Sequence, residues 1–109
     1  MYEIIKGAAF KRQAAHFVAD YKQEAGETTA LNFISGLEHS MKFIAANPQA
    51  CAVYTNFRGY EYRRWHVKNF PHSIFFRIGK NTVILEALYA NRMNIAHRFP
   101  LEIEVDNIN

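Results

Sequence analysis

The segment RRWHVKNFPHSIFFRIGKNTVILEALYANR, residues 63–92, decides the fold. It alternates in side-chain character, turns at Asn69-Phe70-Pro71-His72, turns again about Lys80-Asn81, and opens and closes on arginines. Successive side chains of a strand point to opposite faces. Over 62–68 that sets Tyr62, Arg64, His66 and Lys68 on one face and Arg63, Trp65 and Val67 on the other. SIFFRI (73–78) and TVILEALY (82–89) then form a hairpin. The expected register sets Ile78 opposite Val83, Phe76 opposite Leu85 and Ile74 opposite Ala87. One face of this sheet is wholly apolar and demands a cover. The opposite face carries Phe75, Arg77, Ile84 and Glu86, with Arg77 and Glu86 placed diagonally. If exposed, such a pair is worth about 0.2–1 kcal/mol.

The cover lies upstream. YEIIK (2–6) is a short β-prone run that Gly7 breaks. From Ala8 to Glu24, Phe10, Ala14, Phe17, Val18 and Tyr21 recur at helical spacing, and Gly26 ends that helix. A second helix follows, with Thr28 or Thr29 as its expected cap and Glu27 at the positive end of its dipole. Its stripe is Leu31, Ile34, Leu37, Met41 and Ile44, widened by Phe33 and Phe43, and Asn47-Pro48 stops it. Residues 49–60 read as irregular, with NFRGY (56–60) as a turn.

The expected fold is therefore α+β: an N-terminal strand and an antiparallel helical hairpin packed on a three- to four-stranded antiparallel sheet. It forms a single domain over 1–100, followed by an acidic tail over 101–109. That tail alternates Leu101, Ile103 and Val105 with Glu102, Glu104 and Asp106. An edge strand and a loose anionic arm fit it equally.

A chain of 109 residues, half of them apolar, holds one packed core. No apolar run approaches the roughly 20 residues that cross a bilayer. MYEIIKGAAFKR does not read as a signal peptide. Cys51 is the sole cysteine, in a segment without a neighbouring cation, and reads as a packing residue in a reducing, cytoplasmic setting. Charge is uneven within the net +3: eight Lys or Arg lie between Arg58 and Arg98, against Glu61 and Glu86 alone. A cationic module of this kind suits nucleic acid or an acidic protein. The five histidines show no metal-ligand spacing, and no glycine-rich phosphate loop is present, so no metal or cofactor is expected.

The basic sheet face is the candidate site. Metal-independent RNA cleavage needs a base, an acid and cations on the developing phosphorane. His66 or His97 supplies an imidazole that titrates near neutrality, and Arg64, Lys68 and Arg92 supply charge. The binding surface expected around them is Arg63, Arg64, Lys68, Arg77, Arg92 and Arg98.

YRRWHVKNFPHSIFFRI (62–78) and TVILEALYANR (82–92), in their order and spacing after a helical hairpin, resemble the RelE/ParE superfamily of bacterial toxins. The likeness spans Tyr2 to Arg98. It implies the toxin of a type II toxin–antitoxin module: a growth inhibitor, held inactive in a hetero-oligomer by a cognate antitoxin. Two activities divide the superfamily, inhibition of DNA gyrase and ribosome-dependent cleavage of mRNA. For the ribonuclease branch the resemblance places Arg64, His66 and Arg92 at cationic positions, with His97 nearby. Ser73 stands where cleaving members carry an arginine, the usual late tyrosine is missing, and Tyr89 replaces a histidine. The Phe-Pro turn and long hairpin look ParE-like. The resemblance thus implies a gyrase-binding toxin first and a ribonuclease as the alternative.

Overall fold

The helical hairpin turns on a single residue. In the computed structural model, which describes residues 1–103, α1 (Ala8–Ala25) and α2 (Glu27–Ala46) flank Gly26. Its φ of 97° is a conformation that side-chain-bearing residues seldom adopt. Neither Thr28 nor Thr29 caps α2; Gly26 itself occupies the N-cap without a side-chain bond. α2 ends at Asn47, and a short 3-10 turn, Pro48–Ala50, leads into the sheet.

The sheet has five strands rather than three or four: β1 (Glu3–Lys6), β2 (Ala52–Phe57), β3 (Tyr60–His66), β4 (His72–Ile78) and β5 (Thr82–Ala90). Their order is β1-β5-β4-β3-β2, with β1 parallel to β5 and all other pairs antiparallel. The expected irregular region 49–60 thus contains a strand. β2 runs at the sheet edge with a largely exposed face and a register shift between Val53 and Thr55. An edge strand buries little and so shows no clean alternation of apolar and polar residues.

The β4–β5 hairpin starts in the expected register, with Ile78 opposite Val83 and Phe76 opposite Leu85. It then slips: Phe75 pairs with Ala87 and Ile74 with Leu88, leaving Glu86 as the extra residue of a bulge. The pairing of Ile74 with Ala87 is therefore replaced. A one-residue insertion exchanges the two faces of a strand. Before the bulge, Val83 and Leu85 face the helices; beyond it Leu88 does, while Ala87 and Tyr89 turn to the other side.

Under α1 and α2, a core gathers Phe10, Phe33, Ile44, Ile74, Phe76 and Leu88. Leu31 does not join it and is 57% exposed, because the buried stripe of α2 runs through Ala30, Phe33, Leu37 and Ile44. The opposite sheet face is also covered. A third helix, α3 (Ile95–Glu102), lays Ile95 and Phe99 on Tyr62, Phe75 and Tyr89, and Ile103 closes that second core. Tyr89 donates its hydroxyl to Glu102 at 2.7 Å and so pins the helix end to β5. The expectation of one open face fails here, and the reason is local. Pro100 sits inside α3, where sequence patterns argue against helix. The folded unit extends past residue 100, through Ile103. Leu101 and Glu102 are helical, so they form neither strand nor arm, and the rest of the expected acidic tail, 104–109, lies outside the described residues.

Candidate functional site at the cationic rim

With both faces covered, cations reach solvent at the rim. Four side chains converge where β3 and β4 meet the residues after β5. His66 stands opposite Ser73 across the ladder, and Asn91 follows β5. The Ser73 hydroxyl donates to Asn91 Oδ1 at 2.7 Å. Its single proton is thereby committed, so its oxygen accepts from Arg64 Nε at 3.2 Å and from His66 Nδ1 at 3.0 Å. Arg64 Nη2 donates to the same Asn91 oxygen at 3.3 Å, and the guanidinium lies 5.4 Å over the Phe75 ring.

Arg64 is thus held in place before any ligand arrives. With Nδ1 donating to this network, the tautomer of the His66 ring that carries one proton leaves Nε2 as an acceptor at the exposed rim. A fixed guanidinium beside an imidazole binds an anion and can relay a proton. Ser73 and Asn91 escaped the sequence reading as orienting groups. Their signal was available in strand parity, since Ser73 shares the face of Arg64 and lies directly across from His66.

The remaining predicted residues scatter. Arg77 is 1% exposed and forms a buried ion pair with Glu86, Nε to Oε2 at 2.8 Å, while Tyr60 lies over its guanidinium at 4.3 Å. It is no part of an open surface, being buried against Glu86 and beneath the Tyr60 ring. Arg63 is half-buried and donates Nη1 to the carbonyls of Cys51 at 2.7 Å and Gln49 at 3.2 Å, and Nη2 to Glu61 at 2.9 Å. That spends it on fastening β3 to the chain entering β2.

Lys68 is exposed in a groove of about 540 Å³ between α2 and the β3–β4 turn, bordered by His39, Trp65 and Phe70. Trp65 stacks on Phe43 at 4.2 Å and 15°. His97 and Arg98 are exposed on α3. Arg92 is exposed beside Tyr21 and His72, on the α1 side of the sheet, and so is not gathered with Arg64.

Cys51 is buried, and burial raises its thiol above the usual range despite Arg63, which leaves it a poor nucleophile. Among the described residues no three His, Cys, Asp or Glu side chains cluster as a metal site requires, and no helix is long and apolar enough to cross a membrane.

Comparison with known proteins agrees with this architecture. The family model described as "ParE toxin of type II toxin-antitoxin system, parDE" matches residues 6–94. A solved structure described as "Chromosomal ParDE TA system from P. aeruginosa" superposes with a TM-score of 0.69 at 14% identity, over 83% of this chain and 96% of that one. At that identity the likeness speaks for the fold. Curated protein sequences return no match.

Proposed function

The chain belongs to the ParE toxin family of type II toxin–antitoxin systems, and from that premise we propose that it arrests growth by binding DNA gyrase and is neutralised by a cognate antitoxin. The observation that carries the choice of target is the dispersal of the cations. Phosphodiester cleavage without a metal needs several positive groups around one phosphate. Here Arg64 meets His66, while Arg92 lies with Tyr21 and His72, Arg77 is buried, and Arg63 is bound to carbonyls. Scattered rim cations suit a broad protein contact, where complementary charge steers encounter.

An antitoxin finds two receptive features. The edge strand β2 offers its outer backbone groups to an added strand. Between α1 and α2 a groove floored by Phe10, Ala14, Leu37 and Met41, with Lys6 and Lys11 at its rim, suits an amphipathic helix bearing acids. The reading also places the protein in the cytoplasm, where gyrase works.

Ribosome-dependent mRNA cleavage is the second reading, and the Arg64–Ser73–His66–Asn91 network favours it. Induced expression separates the two in cells. Growth arrest with relaxed plasmid DNA, relieved by coexpressing a small acidic partner from the adjoining gene, supports the gyrase reading. Arrest with normal supercoiling and truncated mRNA, lost in Arg64→Ala, supports the second.

A further inference from the structure

A small cavity at the C-terminal half of α1 plays no part in the rim network. It measures about 140 Å³ and lies between Phe17 and Tyr21 of α1 and the pair His72 and Arg92, with Asp20 and Glu24 also on its wall. His72 is 3% exposed and caged by aromatic rings, with centroids of Phe17 at 4.5 Å, Phe33 at 4.8 Å and Tyr21 at 5.8 Å. Its Nδ1 is sealed and has no hydrogen-bond partner. A neutral ring with an unpartnered Nδ1 is least costly with its proton on Nε2, which leaves that N–H as the donor available to the cavity. Burial, with Arg92 adding to it, keeps this imidazole neutral near pH 7.

Arg92 forms no ion pair among the described residues, yet its charge acts on both Tyr21 and His72, so its guanidinium serves the same space. Burial holds the Tyr21 phenol above its ordinary value, and its hydroxyl stays a donor. The cavity thus combines a guanidinium, a phenol and an imidazole N–H beside the Phe17 ring.

We propose that this cavity takes one carboxylate side chain, Asp or Glu, from a partner polypeptide. The carboxylate pairs with Arg92 and accepts from His72 and Tyr21, and its methylene stem lies against Phe17. The two acids on the wall refine the choice. Asp20 is engaged by His16 at 3.2 Å, and Glu24 is exposed. Together they oppose a second negative charge, so a monoanionic carboxylate flanked by neutral or basic residues fits better than a dianionic phosphate or a run of acids. The inference is independent of the gyrase reading, because it concerns only what this cavity accepts.

The test uses the full-length, isotope-labelled chain and NMR signals of the His72 ring and the Arg92 Nε–H. Three blocked tripeptides serve as probes, with Glu, Gln or Lys at the centre, beside inorganic phosphate. The expected result is a saturable shift with the Glu peptide, at an affinity about tenfold above that of the Gln peptide. The Arg92→Ala chain should lose the shift, and His72→Phe, which preserves the packing, should weaken it at the Arg92 signal. Equal response to Glu and Gln, preference for Lys or phosphate, persistence of the response in Arg92→Ala, or no response up to roughly 10 mM peptide overturns the proposal.

Discussion

Arg77 Nε donates to Glu86 Oε2 across 2.8 Å, in an ion pair whose side chains are 2% and 3% exposed. Glu86 is the bulged residue of β5, so the pair sits where the strand exchanges its faces. Removing one member of such a pair strands a charge in a poorly solvated place. Arg77→Leu or Glu86→Leu alone should lose about 3–5 kcal/mol of stability, while the double substitution should lose markedly less. Urea unfolding of the three variants measures this; additive losses would show that the charges are not coupled.

Gly7 leaves β1 against that same bulge. A Cβ built there would lie 2.8 Å from the Leu85 carbonyl oxygen and 3.2 Å from Glu86 Oε1. Backbone cannot yield as a flexible side chain can, and the Gly7 N–H already bonds Leu85 O at 2.8 Å. Gly7→Ala should therefore destabilise the protein by about 1–3 kcal/mol. An exposed control, Ala8→Ser, should change stability by no more than about 0.5 kcal/mol.

The second core depends on α3. Phe99 is 2% exposed and packs edge-on against Tyr62 at 5.0 Å and Phe75 at 5.8 Å. Phe99→Ala should lose about 3–5 kcal/mol, with early amide exchange in α3 and slower change in α1 and α2. Ile103→Ala should also lose stability, because Ile103 is 4% exposed and closes this core. An Ile103→Ala chain as stable as the parent would contradict the role given to Ile103.

His72 makes stability depend on pH. Its folded pKa is lowered to about 4, first by burial and then by Arg92. An unfolded histidine titrates near 6.5. Between these values the unfolded chain binds the extra proton, so stability falls as pH drops through that window and is level above it. The contribution reaches roughly 3 kcal/mol at the acid end. Comparing the parent with His72→Phe at pH 7 and at pH 4.5 isolates the effect, because carboxylates titrate alike in both. The gap should move in favour of the variant at low pH; a constant gap would contradict a neutral buried ring.

The helical hairpin and strands β3 to β5 were legible because their side chains report burial on one face, as Phe33 and Ile44 do in α2 and Ile74 and Phe76 in β4. Three features were not. β2 lies at an edge and buries too little to pattern its sequence. α3 carries Pro100, and its buried residues, Ile95 and Phe99, are four apart in a segment too short to establish a period. The bulge at Glu86 leaves both flanking stretches alternating correctly, so the slip becomes visible only when Ile74 is found opposite Leu88.

At the site, strand parity sets Arg64 and His66 on one face, and both bond the Ser73 hydroxyl. Strand parity sets Arg77 on the basic face but does not show that this position is buried against Glu86 and Tyr60. The sequence groups Arg92 with Arg64 and Lys68 as cations of one basic face, whereas the chain beyond β5 carries it to the α1 side.

The proposed action is binding to gyrase rather than cutting of RNA. Purified gyrase and actively translating ribosomes, each given the same amount of the protein, test it side by side. Gyrase binding should inhibit DNA supercoiling and leave mRNA intact, with supercoiling restored when the adjoining gene's product is added. Unimpaired supercoiling together with mRNA cleavage that Arg64→Ala abolishes would contradict it.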